Sequence, residues 1–306
     1  MRTSAVMCAS SEDRVVDCGE GVRLLLHHTP PNGNARGQVA VLIHGWEGSG
    51  MSTYILSVAS NLWNAGYRVI RLNLRDHGRS HHLNEGLFHS CRLAEAAGAV
   101  QWVQENFPND RLVLGGYSLG GNFSLRIAAV AEESGLKIER VVAVCPVLDP
   151  KETLTALDLG FPVYRAYYIR KWRRSLTRKK AAFPDLYDFS ELQSFASLTE
   201  MTNYFVQKYT KFKNLDTYLN GYALTGDRLA NLKVPSRILL VDDDPIIPAR
   251  TLENIARPDS LQVEISPYGG HCGFISGYRL QSWLDDYFPD AFDENHDFAI
   301  DRKHEM

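Results

Sequence analysis

The sequence predicts an α/β architecture: a mainly parallel sheet with helices on both faces and a helical insertion late in the chain. Three observations lead there. Short Val/Ile/Leu-rich runs alternate with stretches of helical periodicity up to about residue 149. From about 150 to 232 no such run occurs, and Tyr, Phe, Lys and Arg accumulate. The alternation then resumes at "VPSRILLVDDDP" (234–245). The division expected is therefore 1–149 for the first part of the core, 150–232 for the insertion, 233–290 for the second part of the core and 291–306 for a polar tail.

Each element has its own warrant. "GVRLLLHHTP" reads as an early strand, and "VAVLIHG" (39–45) as a buried strand closed by a glycine. A helix from about Ser52 to Ala65 leads to strand "YRVIRLNL" (67–74) and the loop "RDHGRSHHLNEG". A helix through "CRLAEAAGAVQWVQENF" precedes strand "RLVLGGY" (111–117). The next helix, Leu119 to about Glu133, repeats Phe123, Ile127 and Val130 at helical spacing, and "ERVVAVCPVLD" is another buried strand. After the insertion, a helix near Arg250 to Ala256, strand "LQVEISPY" (261–268) and an amphipathic helix "YRLQSWLDDYF" complete the series. Strands buried on both faces and joined by helices belong to a parallel sheet.

Bulk properties narrow the function classes. The 306 residues fit one large core with an insertion, and 44 % hydrophobic with 23 % charged residues is ordinary for a globular protein. A net charge of -3 offers no field for nucleic acid. Five scattered cysteines, none in a C-x-x-C pair, suit a reducing compartment without a zinc ribbon. The opening "MRTSAVMCASSEDR" lacks an apolar leader core, and nowhere do about 18 apolar residues run together. A cytoplasmic location is the expectation.

The chemistry centres on "GGYSLGGN" (115–122). Gly116, Tyr117, Ser118, Leu119 and Gly120 fit G-x-S-x-G, the nucleophile elbow of α/β-hydrolases, in which a sharp strand-to-helix turn lifts a serine hydroxyl above the sheet. A plain glycine-rich turn is the structural alternative. A serine needs a base to take its proton and an acid to orient that base, following it in the order Ser, acid, His. His271 and His296 are the histidines after Ser118; His296 lies in the polar tail, whereas His271 in "PYGGHCGF" follows a strand on a loop. For the acid, Asp242, Asp243 and Asp244 end a strand. Adjacent side chains on a strand point to opposite faces, so one of the later two can meet His271. Asp244, directly before Pro245, is the first choice, Asp243 the second and Asp149 the third. Oxyanion donors are expected at the backbone N–H of Leu119 and of Trp46, which follows His44-Gly45.

The blocks "LIHGWEGSGMSTY", "GYSLGGN", "DDPIIP" and "YGGHCGF", with "GLFHS" (86–90), resemble the YheT-like branch of the α/β-hydrolase superfamily, related to the ABHD-type lipid esterases. The resemblance runs from about residue 38 to 288. It implies an α/β-hydrolase fold and a cofactor-free serine esterase of acyl or lipid-like substrates, with Ser118 as nucleophile, Asp244 as acid, His271 as base, and Trp46 and Leu119 as oxyanion donors. Trp46 stands where that branch is expected to carry a Leu, and the insertion has a character of its own. A thioesterase or amidase with the same triad is the alternative chemistry. A catalytically silent hydrolase fold used for binding is the alternative of another class.

Within the insertion, residues 161–180 carry eight cations, no acid, and Phe161, Tyr164, Tyr168 and Trp172 at helical spacing. This suits either a cap helix, aromatic face on the site and basic face in water, or peripheral contact with an anionic lipid surface. His77, His81, His82 and His89 lack regular ligand spacing, so no metal is expected. The partner expected is a small ester or lipid, with oligomeric state left open.

Overall fold

The structure is a computed structural model that describes residues 2–276 and 281–293. Eight strands form one sheet: β1 Glu12–Asp17, β2 Arg23–Thr29, β3 Gln38–Ile43, β4 Arg68–Asn73, β5 Arg111–Tyr117, β6 Ile138–Val144, β7 Ser236–Val241 and β8 Leu261–Ser266. Their order is β1-β2-β4-β3-β5-β6-β7-β8; β2 runs antiparallel to both its neighbours and every later pairing is parallel. β3 and β7 are buried at all six positions, as expected of strands covered on both faces. Nine helices accompany the sheet among the described residues: α1 Arg2–Ala9, α2 Thr53–Asn64, α3 Leu93–Asn106, α4 Leu119–Ala129, α5 Pro150–Leu159, α6 Pro162–Ala182, α7 Leu198–Tyr209, α8 Leu215–Asn220 and α9 Leu284–Phe292. α1 and α9 pack on α2, while α3 packs on α4. A short antiparallel pair, β9 Ile275–Ser276 with β10 Gln281–Ser282, precedes α9.

The register decides where chemistry can gather. Ile43 lies opposite Gly116, Tyr117 opposite Val144, Val144 opposite Leu239, and Val241 opposite Ser266. The parallel strands therefore end along one line, and the loops after β3, β5, β6, β7 and β8 meet above the carboxyl edge, where pockets form in such sheets.

Several elements differ from expectation. The stretch Ala249–Asn254 is a 3-10 turn between Pro248 and Pro258, too confined for an α-helix. β6 stops at Val144 because Cys145 turns into positive φ (42°) ahead of Pro146. α4 ends at Ala129, four residues early. β1, "EDRVVD", is an edge strand with one buried residue, so its sequence lacks the apolar run that marks the others. α5 to α8 lie between β6 and β7. No helix among the described residues is long and apolar enough to cross a membrane.

Candidate active site

Ser118 sits between the last residue of β5 and the first of α4 with φ 52° and ψ -117°, a conformation that costs a non-glycine residue of order 1–3 kcal/mol. The turn is over-determined by its neighbours. A Cβ on Gly120 would lie 2.1 Å from the Ile43 carbonyl oxygen, and one on Gly116 would lie 2.3 Å from that of Gly120. Both positions are glycine for want of space, since the positive φ falls on the serine between them. The Ser118 N–H donates to Val144 O (2.8 Å), and its carbonyl accepts from Asn122 N (3.1 Å). Its Oγ makes no hydrogen bond among the described residues, and neither does the Leu119 N–H, the first orphan donor of α4.

The loop after β3 comes up against this turn. A Cβ on Gly45 would be 3.3 Å from Ser118 Cβ. The N–H groups at 45, 47 and 50 are engaged. Gly45 N–H donates to Tyr54 Oη (3.0 Å), Glu47 N–H to His77 Nε2 (3.1 Å), and Gly50 N–H to Asn73 Oδ1 (3.0 Å). Arg71, a fully buried guanidinium, donates to Gly50 O (2.9 Å). Trp46 N–H is left without a partner among the described residues, next to Ser118. His44 donates from Nδ1 to Gly45 O (2.7 Å) and accepts at Nε2 from Leu74 N–H (3.2 Å). Burial holds His44 and His77 below the ordinary histidine value, so both are neutral braces at pH 7.

The loop after β7 supplies two adjacent carboxylates with different tasks. Asp244 accepts from His271 Nδ1, 2.9 Å to Oδ2 and 3.2 Å to Oδ1. Its Oδ1 also accepts from Ile246 N (2.8 Å) and Ile247 N (3.0 Å). Burial works to raise this carboxyl, but His271 and the two backbone donors outweigh it and keep the group below its ordinary value. Asp243 instead accepts from the Gly269 and Gly270 N–H groups (3.0 and 2.7 Å), fastening the loop that carries His271. Asp149, the third choice, caps α5 through Lys151 N (2.9 Å) and Glu152 N (3.3 Å). His296 lies outside the described residues.

Burial opposes the charged form of His271, yet negative charge on the Cys272 sulfur and on the Asp244 carboxylate holds it above its ordinary 6.5. Burial works to raise the Cys272 thiol, but the neighbouring Cys145 and His271 hold it below its ordinary value. No hydrogen bond joins His271 to Ser118 Oγ among the described residues, a contact that often tightens only around substrate.

Ser118, Leu119 and Trp46 open on a cleft of about 790 Å³, solvent at its mouth included, whose walls include Tyr168, Trp172 and Tyr222. Trp46 stacks on Tyr168 (5.4 Å, 7°) and meets Trp172 edge-on (5.3 Å). Lys171 Nζ donates to Glu47 O (3.2 Å). One face of α6 thus grips the loop that carries Trp46. The basic residues are not all in water, as a simple cap helix would have them: Lys179 is buried on Asp76 Oδ1 (2.8 Å) and three backbone carbonyls.

The histidines of the 75–92 loop and its end have separate occupations. His77 braces Glu47, His81 Nε2 meets Ser175 Oγ (2.9 Å), His89 packs against Phe212 and Tyr218, and His82 is exposed. Tyr54, Arg71, His77, Lys171 and Cys272 support the site and have no motif of their own. Of these, Tyr54 and Cys272 stand inside blocks that the resemblance marks, "LIHGWEGSGMSTY" and "YGGHCGF".

Comparison with known proteins agrees with this fold. The family model described as "alpha/beta hydrolase fold" matches residues 39–278. The Escherichia coli (strain K12) protein named "Putative esterase YheT" is 27% identical over 260 residues, which cover 82% of this chain and 75% of that protein. "Phospholipase ABHD3" of Mus musculus is 21% identical over 254 residues, covering 81% of this chain, and the chain spans 61% of that relative's length. The solved Pyrococcus furiosus esterase Pf2001 shares the fold at a TM-score of 0.59 and 15% identity, covering 92% of this chain and 91% of that one. The resemblance to the YheT-like branch, read from four short blocks, is the one these matches return. The chain belongs to the alpha/beta hydrolase fold family.

Proposed function

We propose that this protein hydrolyses carboxylic esters, of acyl or lipid-like character, through an acyl-enzyme on Ser118. The observation that carries the proposal is the strained Ser118, whose unbonded hydroxyl opens on a cleft beside the two unpartnered N–H groups of Leu119 and Trp46. The Asp244–His271 pair on the neighbouring loops supplies the base, its Nδ1 held on the carboxylate, so that the neutral imidazole carries its proton there and accepts at Nε2. The names of the relatives, an esterase and a phospholipase, support the same reaction class.

His271 Nε2 takes the hydroxyl proton as Ser118 Oγ bonds to the carbonyl carbon, and the carbonyl π pair moves to oxygen. The Leu119 and Trp46 N–H groups hold that oxyanion, each contributing about 3 kcal/mol to the barrier reduction. Collapse breaks the ester C–O bond, and His271 returns the proton to the departing alcohol. Water then repeats the sequence on the acyl-serine and releases the acid. The aromatic walls of the cleft receive the apolar part of the substrate.

The test is a p-nitrophenyl ester series from acetyl to long acyl, together with fluorophosphonate labelling, on wild type and Ser118→Ala. Wild type should label and turn over, and the variant should do neither. A wild type inert to both reagents, or a variant that still turns over, rejects the proposal.

A further inference from the structure

The outer face of α6 is apolar at one end and cationic along the rest. Leu159 (83 % exposed), Phe161 (65 %), Val163 (62 %) and Tyr167 (51 %) put four large apolar side chains into solvent within nine consecutive positions. Scattered exposed apolar residues are ordinary, whereas a contiguous patch marks an interaction surface. This patch sits at the mouth of the site. A Cβ on Gly160 would lie 3.8 Å from Pro245 O, next to the Asp244 that binds His271. Tyr168, one residue beyond Tyr167, lines the cleft with Ser118. On the His271 loop, Tyr268 is likewise exposed.

Continuing along the same side of α6, Arg170, Arg174 and Arg178 follow at single-turn spacing, all exposed. None of the three forms a hydrogen bond or ion pair among the described residues. Their neighbours are committed: Arg165 to Asp158 O, Lys171 to Glu47 O, Arg173 to Gln193 O and Phe195 O, and Lys179 to Asp76. Residues 159–184 contain no Asp or Glu, although the whole chain is net negative at -3. The aromatic side chains that a cap helix needs inside, Tyr168 and Trp172, are already packed on Trp46. The exposed apolar tip and the arginine row are therefore additional to the cleft lining.

We propose that the α5–α6 corner and the outer face of α6 dock the protein reversibly on an anionic lipid surface, with the mouth of the Ser118 cleft turned toward the bilayer. Leu159, Phe161 and Val163 enter the boundary between headgroups and acyl chains, and the arginine row meets lipid phosphates. A nucleic acid would have no use for the aliphatic tip. Apolar residues leading a row of unpaired guanidinium groups on one helix match both layers of a membrane interface. This docking goes beyond the hydrolytic reading and does not depend on it.

The experiment is co-sedimentation of the full chain with vesicles of phosphatidylcholine alone and of phosphatidylcholine mixed with phosphatidylglycerol, at low and high salt. Wild type should bind the mixed vesicles, leave the neutral ones unbound, and be released by salt. Replacing Arg170, Arg174 and Arg178 together by Gln should lower the partition coefficient about 100-fold. Phe161→Ser with Val163→Ser should also weaken binding, and both variants should keep the wild-type melting temperature and acetate-ester turnover. Failure of wild type to bind mixed vesicles, or undiminished binding by the arginine variant, overturns the proposal. So does a wild-type dimer that Phe161→Ser with Val163→Ser converts to a monomer without any vesicle binding, which would assign the patch to a second copy. Vesicle binding by a wild type that hydrolyses no ester would reject the hydrolytic reading alone.

Discussion

Replacing Asp244 by Asn tests the site at the point where two adjacent carboxylates part ways. Asp244 Oδ1 is fixed by the Ile246 and Ile247 N–H groups at 2.8 and 3.0 Å, which require an acceptor. An Asn at 244 must therefore keep its carbonyl oxygen on those donors and turn its NH2 toward His271 Nδ1. The imidazole then becomes the acceptor at Nδ1 and carries its proton on Nε2, the wrong tautomer for taking a proton from Ser118. In a serine protease the equivalent exchange lowers kcat about 10⁴-fold, or about 5 kcal/mol of barrier, and the same tautomer logic predicts a loss of that order here. Asp243→Asn is the matched control. It retains the Oδ1 that receives Gly269 and Gly270, losing only the charge assistance of those bonds, and should fall within about fivefold of wild type. Steady-state kcat and KM on a p-nitrophenyl ester, with melting temperatures for both variants, decide the matter. Equal losses at 243 and 244, or less than tenfold at 244, would refute the reasoning.

Two further predictions concern the same site. Lys171→Met keeps the aliphatic stem but removes the donor to Glu47 O, loosening the loop that presents Trp46 N–H; kcat should drop about tenfold with KM little changed, and an unchanged kcat contradicts the tether. Because His271 is held above 6.5 by Cys272 and Asp244, and a base must be unprotonated to act, kcat/KM should fall as pH drops through a value above 6.5. Cys272→Ser should move that acid limb downward, and a plateau persisting well below pH 6.5 in wild type would show that the imidazole is not so perturbed.

Which parts of this site were legible in the sequence follows from what each part requires. The elbow was legible because a Cβ on Gly116 or Gly120 would lie 2.3 or 2.1 Å from a backbone oxygen, so no other residue fits. The core strands were legible because burial on both faces forces a continuous apolar run, as in β3 and β7. Position along the chain picked out His271, and strand alternation narrowed its acid to two neighbours; only the loop conformation assigns the carboxylate to Asp244. The braces of the Trp46 loop were not legible. Arg71, His77 and Lys171 reach it across 21, 30 and 124 residues of chain, and no local periodicity encodes such a contact. Lys179 misleads outright: its composition says water, and its burial depends on Asp76, 103 residues away. β1 escaped notice because an edge strand with one buried residue has no apolar run to read.

Trp46, where the resemblance leads to the expectation of a Leu, and the insertion are joined by direct packing. A Leu after His44-Gly45 would present no ring to Tyr168, whereas Trp46 gives α6 a flat partner at 5.4 Å and an edge to Trp172. The same helix face then continues downward: Lys171 to Glu47 O, Ser175 Oγ to Asp76 O (3.2 Å), and Lys179 to the Asp76 carboxylate. Swinging α6 away as a lid would break all of these together, and parting the buried Lys179–Asp76 pair alone costs about 3–5 kcal/mol. α6 is thus held to the core by the very loop that carries a proposed oxyanion donor. Substrate access that left this face intact would have to come past the α5–α6 corner, where Leu159, Phe161 and Val163 already stand in solvent.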